Sequence, residues 1–125
     1  MSILGKSINR PDAPGKTTGK TRFLTDIAVD NMAHGAPVYS SIPFGEYTSI
    51  DLSKAKKVDG YIDFVSAKDI PAENQIGVIV SDQPLFADKT VRFIGDSIGL
   101  VVAETHEAAI EAAKAVSISY AEKTP

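Results

Sequence analysis

Residues 91–120 read VRFIGDSIGLVVAETHEAAIEAAKAVSISY, and this stretch decides the fold. Ile98 to Ala103 is a nearly continuous apolar run, the pattern of a strand covered on both faces. Thr105 follows as a helix cap, and Glu107 places a negative charge in the first turn, where the helix dipole favours it. Ala109, Ala112, Ala113 and Val116 recur at helical spacing and form one face of small residues, so the helix axis can lie close to a sheet. His106, Glu107, Glu111 and Lys114 take the outer face. Val116 to Tyr120 alternates as a second strand. Upstream, Thr90 to Ile94 reads as a strand broken by Gly95-Asp96, a tight turn in which a carboxylate can accept backbone N–H groups.

Working outward, Tyr61 to Ser66 alternates as a strand. Pro37 to Asp51 has Val38, Ser40, Ile42 and Phe44 on one side, with a bulge or bend at Gly45. Asp51 is a cap for a short helix, Leu52 to Lys57, with lysines near its end and Gly60 as its stop. Asn31 to Pro37 reads as a turn, and Phe23 to Val29 as a short strand or an irregular segment capped by Asp26. Residues 1–22 read as an extended N-terminal arm with turns at Pro11 and Pro14. Ala67 to Asn74 is a connector, with a 3₁₀ turn after Asp69. Gly77 to Val80 is a strand or a loop, and Asp82 to Asp88 is a loop whose Leu85 and Phe86 pack beneath it or mark a contact surface. The sum is one α+β domain over residues 1–125, with two helices on a mixed β-sheet.

Composition narrows the chemistry. At 125 residues and 43% apolar, the chain can bury one core. Without cysteine it has no thiol nucleophile, disulfide or iron–sulfur ligand of its own. Its two histidines, His34 and His106, have no second ligand at metal spacing and read as solvated. Asp96 reads as a turn carboxylate rather than a catalytic one. GKTTGKT, residues 15–21, is not a phosphate loop, because Pro14 stands where that motif needs glycine and no buried strand precedes it. Lys6, Arg10, Lys16, Lys20 and Arg22 against Asp12 and Asp26 leave the first 26 residues basic in a chain of net charge −3, but no aromatic residues are interleaved to stack bases, so no nucleic-acid partner is expected. No apolar run nears the ~20 residues that span a bilayer, and no leader is visible, so no membrane partner and a cytoplasmic location are expected.

These residues also carry a resemblance. FIGDSIGLVVAET, residues 93–105, followed by Ala108, Ala109, Ala112, Ala113, Val116 and Tyr120, is similar to the a/b hammerhead domain of the molybdenum hydroxylases, the xanthine dehydrogenase and aldehyde oxidase family. Gly5, Arg10, Asp12, Lys16, Gly19, Phe23 and Asp26 resemble the family's opening. Ser40, Gly45, Ser49, Ile50 and Asp51 match the following strand, which departs from the family at Ser41, Pro43, Phe44 and Glu46. Ala55, Gly60, Asp69, Ile70 and Pro71, then Asp82, Pro84, Leu85, Ala87 and Val91, match the blocks between.

The resemblance implies a non-catalytic structural domain of a molybdenum-dependent oxidoreductase. It implies molybdopterin and iron–sulfur clusters in the complete enzyme, none of them held here. It implies as partners the remaining molybdopterin-binding domains and the iron–sulfur or flavin subunits. It also implies that NQIGVI, residues 74–79, sets Val78 and Ile79 in the wall of a substrate channel. From the residues alone, both could equally pack in this domain's own core. A stand-alone binding or adaptor domain on the same fold is the alternative function, and an independent small enzyme lacks a visible nucleophile–base pair.

Overall fold

The computed structural model describes residues 4–124. Its contacts divide the chain into two compact units, Met1–Met32 and Ala33–Pro125. In the first unit the arm is not extended throughout. Ala13–Thr17 forms a short helix, α1, with proline in its first turn, where a missing N–H costs nothing. The hydroxyls of Thr17 and Thr18 donate to the carbonyls of Ala13 and Pro14, so these GKTTGKT side chains serve the chain's own backbone. Leu24–Asp26 is a 3₁₀ turn whose Asp26 carboxylate accepts the Phe23 N–H at 2.9 Å.

The second unit holds six strands: β1 (His34–Tyr39), β2 (Gly45–Asp51), β3 (Tyr61–Ser66), β4 (Thr90–Val91), β5 (Ser97–Ala103) and β6 (Ser117–Glu122). A ten-residue helix, α2 (His106–Ala115), lies between β5 and β6. The class is α+β, but the strands divide between two three-stranded sheets, ordered β1-β5-β3 and β4-β2-β6. Every pairing is antiparallel, so the single mixed sheet expected from the sequence is replaced by two.

Local chemistry explains most elements. Thr105 caps α2 by accepting the Ala108 N–H at 3.1 Å. Ala108, Ala109 and Ala112 are buried against Ala36, Val38, Val101 and Ala103, so short side chains hold α2 close to the first sheet. β5 is the central strand of that sheet. Its Gly99 admits no side chain, because a Cβ there would lie 2.4 Å from the Phe64 ring and 2.6 Å from the Val65 carbonyl. A further cluster, Ala87, Val91 and Ile98, is roofed by Ile42, Tyr47, Ile50, Ile118 and Tyr120 and joins the two sheets.

Five local expectations are corrected. Pro37 sits inside β1 rather than in a turn, tolerated because β1 is an edge strand. Pro37 to Asp51 is not one bent strand but β1 and β2, which belong to different sheets. Leu52 to Lys57 yields only a 3₁₀ turn, Ala55–Lys57, with Ala55 its one buried residue. So short a helix needs more packing than that to persist. β4 ends at Val91, and the 3₁₀ turn near Asp69 is Ala67–Asp69, preceding the position expected.

Candidate functional site

The feature that invites function is a finger-like loop between β3 and β4. It springs from Asn74, whose side chain grips the returning chain with both its groups. Asn74 Nδ2 donates to the Phe86 carbonyl at 2.7 Å, and the Phe86 N–H donates to Asn74 Oδ1 at 3.0 Å. One step further out, the Ile76 N–H donates to the Gln83 carbonyl at 2.9 Å. Phe86 itself is buried and Leu85 half-exposed, which resolves that pair: one anchors the loop and the other looks outward.

Beyond these clamps the chain turns sharply at Gly77, where a Cβ would fall 1.9 Å from the Val80 carbonyl oxygen. Only glycine permits that approach. The tip then carries Val78 and Ile79, 98% and 96% exposed, with Val80 and Ile76 partly exposed beside them. Neither Val78 nor Ile79 packs in the domain's own core. The tip is thus an exposed apolar patch on a loop clamped at its base.

Polar groups surround the base of the finger rather than its tip. A cavity of about 530 Å³ is lined by Glu73, Asn74, Gln75, Asp82, Lys89 and Arg92, among others, and the Gln75 Oε1 is buried without a partner among the described residues. Below it, Ser66 and Asp69 form a reciprocal cap. The Asp69 carboxylate accepts the Ser66 hydroxyl at 2.8 Å and its N–H at 2.9 Å, which holds the Asp69 carboxyl below the usual carboxylate range. Tyr47 donates to the backbone carbonyls of Ala87 and Asp88, and burial, then the Asp88 charge, pushes its phenol up. Glu46, paired with Lys123 at 2.5 Å and Lys89 at 3.7 Å, is held low, first by the Lys123 hydrogen bond.

The remaining candidates resolve into structure. Asp96 is buried; its Oδ2 accepts the Arg92 N–H at 3.0 Å and its carbonyl accepts the Ser40 N–H at 2.8 Å, so it holds a turn. His34 and His106, isolated in sequence, come together with ring centroids 6.2 Å apart in an edge-on arrangement, because the start of β1 pairs with the end of β5 just before α2. No group of three or more histidine, cysteine, aspartate or glutamate side chains among the described residues could hold a metal ion. No helix among them is long and apolar enough to cross a membrane. The sequence offered no signal for the Asn74 clamp, since its partner lies 12 residues on through irregular chain.

The family model described as "Aldehyde oxidase and xanthine dehydrogenase, a/b hammerhead domain" matches residues 18–124. The chain is 37% identical over 122 residues to a probable xanthine dehydrogenase subunit of Bacillus subtilis, covering 98% of this chain and 16% of that protein. It is 42% identical over 120 residues to xanthine dehydrogenase 1 of Arabidopsis thaliana, covering 95% of this chain and 9% of that protein. Among solved structures, the CO dehydrogenase of Oligotropha carboxidovorans superposes with a TM-score of 0.86 at 29% identity, over 97% of this chain and 15% of that one. The aldehyde oxidoreductase of Desulfovibrio desulfuricans superposes with a TM-score of 0.87 at 27% identity, over 98% of this chain and 15% of that one. The chain thus spans under a fifth of each of these proteins.

Proposed function

The chain belongs to the aldehyde oxidase and xanthine dehydrogenase a/b hammerhead domain family, and from that premise we propose that it is a non-catalytic structural domain of a molybdenum hydroxylase. Its finger, through Val78 and Ile79, forms part of the wall of the substrate channel. The carrying observation is the near-complete exposure of those two aliphatic side chains on a loop pinned at its base by Asn74. Apolar groups so placed would shape a passage for an aromatic or aldehyde substrate while taking no part in bond making.

The partners under this reading are the other molybdopterin-binding domains and the iron–sulfur or flavin subunits or domains, in the cytoplasm. The donor set of this chain does not fit an iron–sulfur cluster. Iron–sulfur clusters need cysteine thiolates, and the chain has none. Under this reading molybdopterin is held by other domains of the complete enzyme, and no step of its reaction is assigned to these residues.

Two experiments test the proposal. Reading the genomic frame past residue 125 should reveal a molybdopterin-binding region; a stop there, with no cofactor-binding subunit encoded nearby, would refute the domain role. In the complete enzyme, Val78→Trp or Ile79→Trp should change KM and the preference between small and bulky substrates, because both side chains stand clear of this domain's core. Unchanged KM and selectivity in both variants would refute the channel role.

A further inference from the structure

The two sheets expose four edge strands, β1, β3, β4 and β6. An open edge invites pairing with another chain, and proteins usually blunt it with proline, a bulge, a charge or brevity. β4 is two residues long. β1 contains Pro37. β3 slips between Tyr61 and Asp63 and carries the exposed Asp63. β6 is the least defended, its one charge being Glu122 at its very end. Ser117 to Ala121 contains no proline and no charge, and the irregularity in its ladder lies on the β2 side, at Thr48.

The direction of its free groups follows from its bonded ones. The Lys123 N–H donates to the Phe44 carbonyl at 3.1 Å, and Glu46 pairs with Ala121 in the same register. Odd-numbered backbone groups of β6 therefore face β2. Alternation turns the N–H groups of Ile118, Tyr120 and Glu122 to the open side. Beside that edge lies a mainly apolar groove of about 410 Å³, walled by Tyr39, Ile110, Ala113, Val116, Ile118 and Tyr120. Tyr39 is 56% exposed and Ile110 37%, so its rim is open. A row of unpaired donors along an apolar groove is the form that accepts an added strand, its backbone bonding the edge and its alternate side chains filling the groove.

We infer that β6 is a docking edge for an extended segment, apolar at alternate positions, supplied by another part of the complete enzyme. This rests on the reading of the chain as one domain of a larger protein, in which related proteins carry several times more polypeptide than the part matched here. A second copy of this chain fits the groove less well. Ile118 and Tyr120 of each copy already wall its own groove and pack against the cluster of Ala87, Val91 and Ile98. The other side chains of β6, Ser117, Ser119 and Ala121, are too small and polar to fill an apolar groove.

Residue-resolved hydrogen exchange on the complete enzyme tests the inference. The amides of Ile118, Tyr120 and Glu122 should exchange about 100-fold or more slower than their intrinsic unstructured rates. The double variant Tyr39→Glu and Ile110→Glu, altering only rim residues, should return them toward those rates and leave the β5 amides protected. Edge amides exchanging freely in the complete enzyme would overturn the inference, as would protection unchanged by the double variant. In the isolated 125-residue chain the same amides should exchange fast; protection that rises with chain concentration would make a second copy the occupant and also overturn it. Purification from the native source separates the two failures: a lone 125-residue species sinks the domain reading, whereas a large enzyme with free edge amides sinks only the docked strand.

Discussion

Asn74→Ala should release the finger while leaving the sheets in place. The asparagine makes two hydrogen bonds to one residue, at 2.7 and 3.0 Å, and satisfies both the carbonyl and the N–H of buried Phe86. A typical intramolecular hydrogen bond contributes about 1 kcal/mol net, and stranding a buried partner costs about 1–3 kcal/mol. With both Phe86 groups stranded but partly rehydrated as the loop opens, the local loss is about 2–3 kcal/mol. Exchange of the Phe86 amide should then accelerate about 30- to 150-fold, at about 1.4 kcal/mol per decade. Amides in the middle of β5, the central strand of the first sheet, should change far less. In the complete enzyme, Asn74→Ala should raise KM if Val78 and Ile79 wall the channel as proposed, because they would no longer be held in place. A Phe86 amide that exchanges at the unaltered rate would show that the clamp carries no weight, and the account of the finger as a positioned wall would fall with it.

Three further outcomes follow from the same geometry. Gly77→Ala sets a methyl 1.9 Å from the Val80 carbonyl oxygen, so the tip must rebuild; exchange and KM should change with a stability loss of only about 1 kcal/mol, the loop being exposed, and a tip unchanged by NMR would contradict the tight turn. Ile98→Ala empties the centre of the cluster between the sheets and should cost about 3–4 kcal/mol, lowering Tm by more than about 10 °C in thermal unfolding; a loss under about 1 kcal/mol would mean that the sheets do not meet there. Asp69 has a folded-state carboxyl held low by the Ser66 hydroxyl and then the Ser66 N–H, so its contribution is complete above the ordinary carboxylate range and fades as pH falls through its depressed value. Acid should therefore loosen the Ala67–Asp69 turn in the wild type, and Asp69→Asn should remove that part of the pH dependence; identical acid profiles by NMR would refute the cap.

What the sequence determined by itself is everything that depends on near neighbours. The run from Ile98 to Ala103, the cap at Thr105, the alanine face of α2 and the strand Tyr61 to Ser66 each state their structure within one or two turns or strands, and all four elements are present, although a bulge at Ile62 breaks the alternation expected of the last. The family resemblance was legible for the same reason, as a string of local matches, and it supplied Val78 and Ile79. The tertiary structure decided what depends on distant partners. Alternation cannot say which sheet a strand joins, so β1 and β2 looked continuous although a bend sends them to different sheets. The proline that looked like a turn is tolerated because β1 lies at an edge, a fact set by its pairing with β5, far along the chain. Whether Val78 and Ile79 faced core or solvent could not be read from two aliphatic residues in a loop. The answer came from Asn74 gripping Phe86 and from a glycine turn too tight for any other residue, contacts that exist only once the chain has folded back upon itself.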